Sequence, residues 1–160
     1  MPSLFRNQAD GTFRDITKSA GLTIASVGRG CAYGDYDNDG DLDLLVSNNG
    51  VTEDYGKIWL LRNDSNRSSN YLRVKTVGIR SNRDGIGASV RVTVDGRVQK
   101  QIVRTGGSYC SQSEIVLTFG LGQSEIVEHL EILWPSGEMD QYVELKANQL
   151  VEAIEGASEK

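Results

Sequence analysis

Proline and histidine are nearly missing from this sequence: two prolines, Pro2 and Pro135, and one histidine, His129, in 160 residues. Any Ser-His-Asp relay would have to use His129, and no Gly-x-Ser-x-Gly elbow is present to carry its nucleophile. Cysteine is scarce too. Cys31 and Cys110 form no CxxC pair and no Cys/His spacing of the kind that holds zinc or runs redox exchange. Two readings of them stay open, a pair of buried thiols or one long-range disulfide, and the second requires an oxidising compartment. No apolar run approaches the ~18 residues that span a bilayer, which excludes a membrane-spanning helix. Residues 1–7 lack the basic start and apolar core of a secretory leader.

What the sequence does have is glycine, 18 residues or about 11% against a usual ~7%. Many glycines with few prolines suit tight turns between short strands. It also has an acidic excess, 22 Asp plus Glu against 17 Lys plus Arg, for a net charge of −5. Five of those acids fall in the nine residues from Asp35 to Asp43, and without them the two signs balance. The excess is local, which points to a cation and away from nucleic acid.

Period-two patterns and turn signals divide the chain into short strands. Residues 4–7 and 11–16 read as a hairpin, residues 30–36 run into the acidic stretch, 42–47 leave it, and 57–63 form a further strand. The polar run 63–70 separates two halves and holds two glycosylation sequons, at Asn63 and Asn66. Beyond it, residues 71–77 alternate as a half-buried strand should. Residues 89–94 and 97–103 flank Asp95-Gly96, a type I′ hairpin signal. Further strands are expected at 114–119, 127–134, 139–145 and 149–154. No segment holds a helical period over ten residues, so the fold class is all-β. The expected units are 1–64, a linker at 65–70, a second unit at 71–156 and a tail at 157–160.

Asp35, Asp37, Asp39, Asp41 and Asp43 present oxygen at every second position, with Gly40 among them. Ca²⁺ takes six to eight hard oxygen ligands at ~2.3–2.6 Å, and this is the pattern that supplies them. Asp35, Asp37 and Asp39 offer carboxylates, Gly40 lets the backbone double back, Asp41 offers its carbonyl, and Asp43 closes the site. An EF-hand would need glutamate where Val46 stands, and helices on both sides. Mg²⁺, which keeps its waters, suits such a loop less well.

Asp35-x-Asp37-x-Asp39-Gly40-x-x-Asp43 is preceded by Leu4-Phe5-Arg6-Asn7 and Asp10-Gly11-Thr12-Phe13 and followed by Ile58-Trp59-Leu60-Leu61-Arg62-Asn63. Together these resemble an FG-GAP/VCBS repeat, a calcium-binding blade of integrin-like β-propellers. Ser81–Ala88 and Gly106–Gln112, with Phe119-Gly120-Leu121-Gly122 and Trp134-Pro135-Ser136-Gly137, resemble the ASPIC/UnbV domain. The resemblance implies one propeller-blade-like repeat followed by a β-sandwich-like domain. Such repeats usually come in numbers that close a ring, and here there is one calcium loop. An open blade exposes strand edges. It packs on the second half, pairs with other copies, or belongs to a longer propeller, and copies that add without closing a ring form a filament.

The expected function is a calcium-binding, non-enzymatic module for adhesion, scaffolding or self-assembly, at the cell surface or outside the cell. The absent leader is then a matter of processing. The expected partners are other proteins or copies of itself, with carbohydrate as a further class. The alternative is an enzyme or accessory subunit of a biosynthetic pathway, which would need His129 in a pocket beside an acid. Sugar binding would need Trp59 or Trp134 exposed beside polar groups. The glycine pairs at Gly85/Gly87 and Gly120/Gly122 open no helix after a strand and read as turn and strand glycines, not dinucleotide cradles.

Overall fold

The computed structural model describes residues 3–8, 10–23, 27–49, 56–64 and 69–158. Asn66, most of the expected linker and the last two tail residues lie outside the described residues.

Every strand read from the sequence is present, and all twelve described elements are strands. Strands β1 (Phe5–Asn7) and β2 (Phe13–Asp15) pair as the opening hairpin. Strands β3 (Gly28–Gly34), β4 (Asp43–Asn48) and β5 (Trp59–Leu61) form a three-stranded antiparallel blade in chain order. Strand β5 is shorter than expected because side chains take over at its ends. Asn48 Nδ2 donates to the Lys57 carbonyl at 2.6 Å, and Asn63 N donates to Asp43 Oδ1 at 2.8 Å.

The second half is a sandwich. One sheet has the order β12 (Gln149–Ile154), β6 (Asn70–Val77), β9 (Leu117–Gly122). The other has the order β11 (Met139–Lys146), β10 (Ile126–Leu133), β7 (Ser89–Val94), β8 (Arg97–Ile102). Alternate residues of both turn inward, so Leu72, Val74 and Phe119 meet Val90, Val92, Leu130 and Ile132 in one core. Along one margin, Gln99 Nε2 and Gln101 Nε2 each donate at 2.7 Å to carbonyls of β9. Asp95 and Gly96 both have positive φ, at 48° and 68°, as the type I′ turn between β7 and β8 requires.

Adjacent strands do not always pair. β11 and β12 are separated only by Ala147 and Asn148, yet the chain changes sheets there. Asn148, at φ 59°, exchanges two hydrogen bonds with the backbone of Tyr71. β12 then runs parallel to β6, from Gln149 opposite Leu72 to Ile154 opposite Val77. The strand expected at 114–119 starts later, at Leu117, because Glu114 is engaged elsewhere. Its N–H donates to the Tyr33 carbonyl of β3 at 2.9 Å.

That bond belongs to a longer contact that covers the outer edge of the blade. Ser113 Oγ accepts from Tyr33 N at 3.2 Å, and Ser111 Oγ donates to the Cys31 carbonyl at 3.1 Å. The approach needs a residue without a side chain, since a Cβ on Gly30 would sit 3.1 Å from Tyr109 O and 2.9 Å from Ser47 Oγ. The second half thus lies along β3 and shields its unpaired backbone. The cysteines fit neither expectation. Cys31 and Cys110 are both exposed and unbridged, because β3 turns Cys31 away from the core and Cys110 sits in a surface turn at φ 48°.

Candidate metal centre

The loop between β3 and β4 folds back on its own carboxylates. Asp35, buried at the end of β3, accepts from Asp39 N at 2.9 Å through Oδ1 and from Gly40 N at 2.8 Å through Oδ2. Asp39 Oδ1 accepts from Asp41 N at 3.1 Å. Asn38 and Gly40 both take positive φ, 58° and 90°, which makes the loop coil tightly. In consequence carboxylate oxygens of Asp35, Asp37 and Asp39 all lie within 4.8 Å of one another. Two oxygens on opposite sides of one Ca²⁺ stand ~5 Å apart, so three donors at this spacing fit a single hard cation. Crowding has an electrostatic cost. Loss of hydration, then the charges of Asp39 and Asp43, a hydrogen bond with Asp39 and the charge of Asp35, push the Asp37 carboxyl above the usual carboxylate range.

The other two aspartates of the pattern do different things. Asp43, buried as the first residue of β4, accepts from Tyr36 N at 3.2 Å and Asn63 N at 2.8 Å, closing the loop at its base and fastening β5. Asp41 is half-buried and lies outside the trio. Asn63, named as a glycan acceptor, instead donates through Nδ2 to the Leu42 carbonyl at 3.4 Å.

Strand β6 supplies a floor to this loop that the sequence reading missed. Tyr71 packs against Gly40 so closely that a Cβ there would overlap the ring. Two residues on, Arg73 is buried although its strand alternates. Its Nη1 lies 3.1 Å from Asp35 Oδ2 and donates to Asn38 Oδ1 at 3.2 Å, and its Nη2 pairs with Glu114. Glu114 in turn accepts from Asp35 N at 3.2 Å through its second oxygen. One guanidinium therefore joins the acidic loop, β6 and the segment that edges β3. The available signal was a basic residue beside Tyr71 in a strand whose neighbours are apolar, in a chain whose acidic excess sits in one loop.

Beside the loop, the blade carries a groove of about 350 Å³ lined by Tyr36, Leu45 and Leu60 among others. His129 is exposed on the outer face of β10, opposite Thr93 and Val143. Trp134 is buried with its Nε1 on Asp140 at 2.7 Å, and Trp59 is half-buried opposite Val46. Gly85 packs against Thr76 and Trp134. Among the described residues no helix is long and apolar enough to cross a membrane.

A blade with an aspartate-rich turn, set on a β-sandwich through a buried arginine, defines a protein built from an FG-GAP-type repeat and a separate all-β domain. Comparison with family models agrees. The model described as "FG-GAP-like repeat" matches residues 1–46, and the one described as "ASPIC and UnbV" matches residues 78–160. The chain belongs to the ASPIC and UnbV family. Among curated proteins it is similar to cartilage acidic protein 1 of Mus musculus, 29% identical over 135 residues, covering 84% of this chain and 20% of that protein. The Homo sapiens protein of the same name is 28% identical over the same share of both. The Xenopus tropicalis protein is 44% identical over 46 residues, 28% of this chain and 7% of its own. The chain spans about a fifth of the length of the first two relatives.

Proposed function

We propose that this chain is a calcium-binding, non-enzymatic extracellular module that serves adhesion, scaffolding or self-assembly. The observation that carries the reading is the trio of carboxylates within 4.8 Å. Asp35, Asp37 and Asp39 hold Ca²⁺ through their side chains, with Asp41 and Asp43 completing the site. The ion supplies positive charge where like charges crowd, and so ties the end of β3 to the start of β4. Residues 1–64 form the metal-bearing unit, 71–156 the sandwich that supports it, 65–70 the link and 157–160 the tail.

Two placements support the non-enzymatic reading. His129 lies on an open sheet face opposite Thr93 and Val143, and Trp134 is spent on a buried hydrogen bond rather than offered to a sugar. The extracellular setting rests on the relatives named for cartilage and on the metal, since extracellular modules work at Kd values of ~10⁻⁴–10⁻³ M.

Calorimetric titration and thermal melts in calcium, magnesium and EDTA test it. At about 2 mM Ca²⁺ and a Kd of ~0.1 mM, linkage gives about 1.8 kcal/mol, or ~4–7 °C in Tm for a chain of this size. Asp37→Asn abolishes the gain. A melt that calcium does not move, with no heat of binding, refutes the reading.

A further inference from the structure

The β11-β10-β7-β8 sheet turns one face to the core and the other outward, and the outward face carries large apolar side chains on either side of a charged row. The strand register lays it out in three rows. Val98, Thr93, His129 and Val143 form one, Lys100, Arg91, Glu131 and Gln141 the next, and Ile102, Ser89, Leu133 and Met139 the third. In the two flanking rows Val98, Val143, Ile102, Leu133 and Met139 are 46% to 64% exposed. Five large apolar side chains on one sheet face are more than the scattered exposure of an ordinary surface.

The rows are also complementary to themselves. Turn a second copy about a twofold axis that lies in the contact plane, parallel to the strands and midway between β7 and β10. Each row then falls on itself with its order reversed. Arg91 faces the partner's Glu131, and Glu131 faces the partner's Arg91. Ser89, the small residue of its row, faces the partner's Leu133. A depression of about 210 Å³, lined by Ser89, Arg91, Lys100, Glu131, Leu133 and Met139, lies where that leucine enters. Val98 meets the partner's Val143, and Ile102 meets the partner's Met139. Opposite charges meet, small meets large, and apolar meets apolar.

We infer that this face is an isologous interface with a second copy of the chain. Among the described residues neither Arg91 nor Lys100 makes an ion pair within the chain, while Glu131 is held only by Gln141 Nε2 at 3.3 Å. Both charges are therefore available across the axis, where β7 and β10 lie nearest to their copies. Aligned sheets pack with a twist of about 30°, which loosens the outermost strands and leaves these central pairs in register. Four strands by three rows cover roughly 400 Å² a side, below the ~600–1,000 Å² a side of stable complexes, so the contact is weak and association depends on concentration. The face shares no residue with the acidic loop and stands apart from the metal reading.

Sedimentation equilibrium from about 1 to 500 µM, in calcium and again in EDTA, reads it directly. The weight-average mass is expected to climb from 17.5 kDa towards twice that value in both buffers. Arg91→Glu and Glu131→Arg, each checked for folding by its melt, stay monomeric alone. Mixed one to one they associate, because each restores opposite charge to the other across the axis. Three results would overturn the inference: a wild-type chain monomeric throughout, which leaves the face to a different partner; association only in calcium, which places the contact at the blade; and single variants that still dimerise.

Discussion

Replacing Arg73 with methionine tests how the two halves are held. The Arg73 side chain is 6% exposed, Asp35 is 0% exposed and Glu114 is 24% exposed, so the substitution strands one carboxylate fully inside the protein and another mostly inside it. Breaking a buried ion pair by removing one partner costs ~3–5 kcal/mol, because the remaining charge keeps its desolvation penalty. Asp35 retains hydrogen bonds from Asp39 N and Gly40 N, and Glu114 retains one from Asp35 N and some water. Those donors place the cost near the lower bound, about 3 kcal/mol, or ~6–12 °C in Tm. Methionine nearly fills the volume of the arginine stem, so a cavity adds little. Thermal and urea melts, run in EDTA and in calcium, are the assay. The loss is larger in EDTA, because a cation beside Asp35 replaces part of the missing charge. Adding Glu114→Gln recovers about 1 kcal/mol by removing one stranded carboxylate. A loss below ~1 kcal/mol in EDTA would show that the guanidinium does not hold the loop, and the argument would fail.

Gly40→Ala meets both a φ of 90° and the Tyr71 ring, for about 1–2 kcal/mol of backbone strain plus ~1–3 of overpacking. In equilibrium unfolding, Tyr71→Ala added to it relieves the second part and leaves the first. Glu155 titrates well below its ordinary value, at about 2, although burial opposes this; hydrogen bonds from Ser136, Ser81 and Ile79 outweigh it. A depressed folded value means stability that is present above pH ~4.5 and lost as pH falls towards 2. Glu155→Gln therefore lowers Tm at pH 7 and matches the wild type at pH 2, and equal deficits at both would refute it. Leu130→Ala, in the sandwich core, costs ~2–5 kcal/mol by chemical denaturation and leaves calcium affinity unchanged.

Local patterns were legible. The Asp95-Gly96 turn, the alternation of β7 and β10 and the aspartates at every second position of the loop each carry their structural cause within a few residues. What could not be read depends on partners on other strands and loops, from 9 residues away at one end of β5 to about 80 for β12 and β3. The parallel pairing of β12 with β6 reverses the hairpin that adjacency suggests. Arg73 reads as an outward position until the acidic loop is seen to cover it. The ends of β5 and β9 depart from their hydrophobic pattern because Asp43, Asn48 and Tyr33 claim the flanking backbone. The exposed thiols follow from a turn and an edge strand, neither of which composition records.

The seam between β3 and residues 111–114 also sets an order of events during synthesis. A ribosome releases the blade strands first, but the groups that edge β3, Ser111 to Glu114, emerge some 80 residues after the positions they bind. The guanidinium beneath the acidic loop arrives with β6, and β6 gains its parallel neighbour only with the last strand, β12. The nascent blade therefore waits with an open edge and an unneutralised loop while the sandwich is made. Contacts this distant in sequence fold slowly and leave strand edges exposed in the interval. A chain cut after Ile102 would carry every aspartate of the loop and still lack the segment that seals its blade.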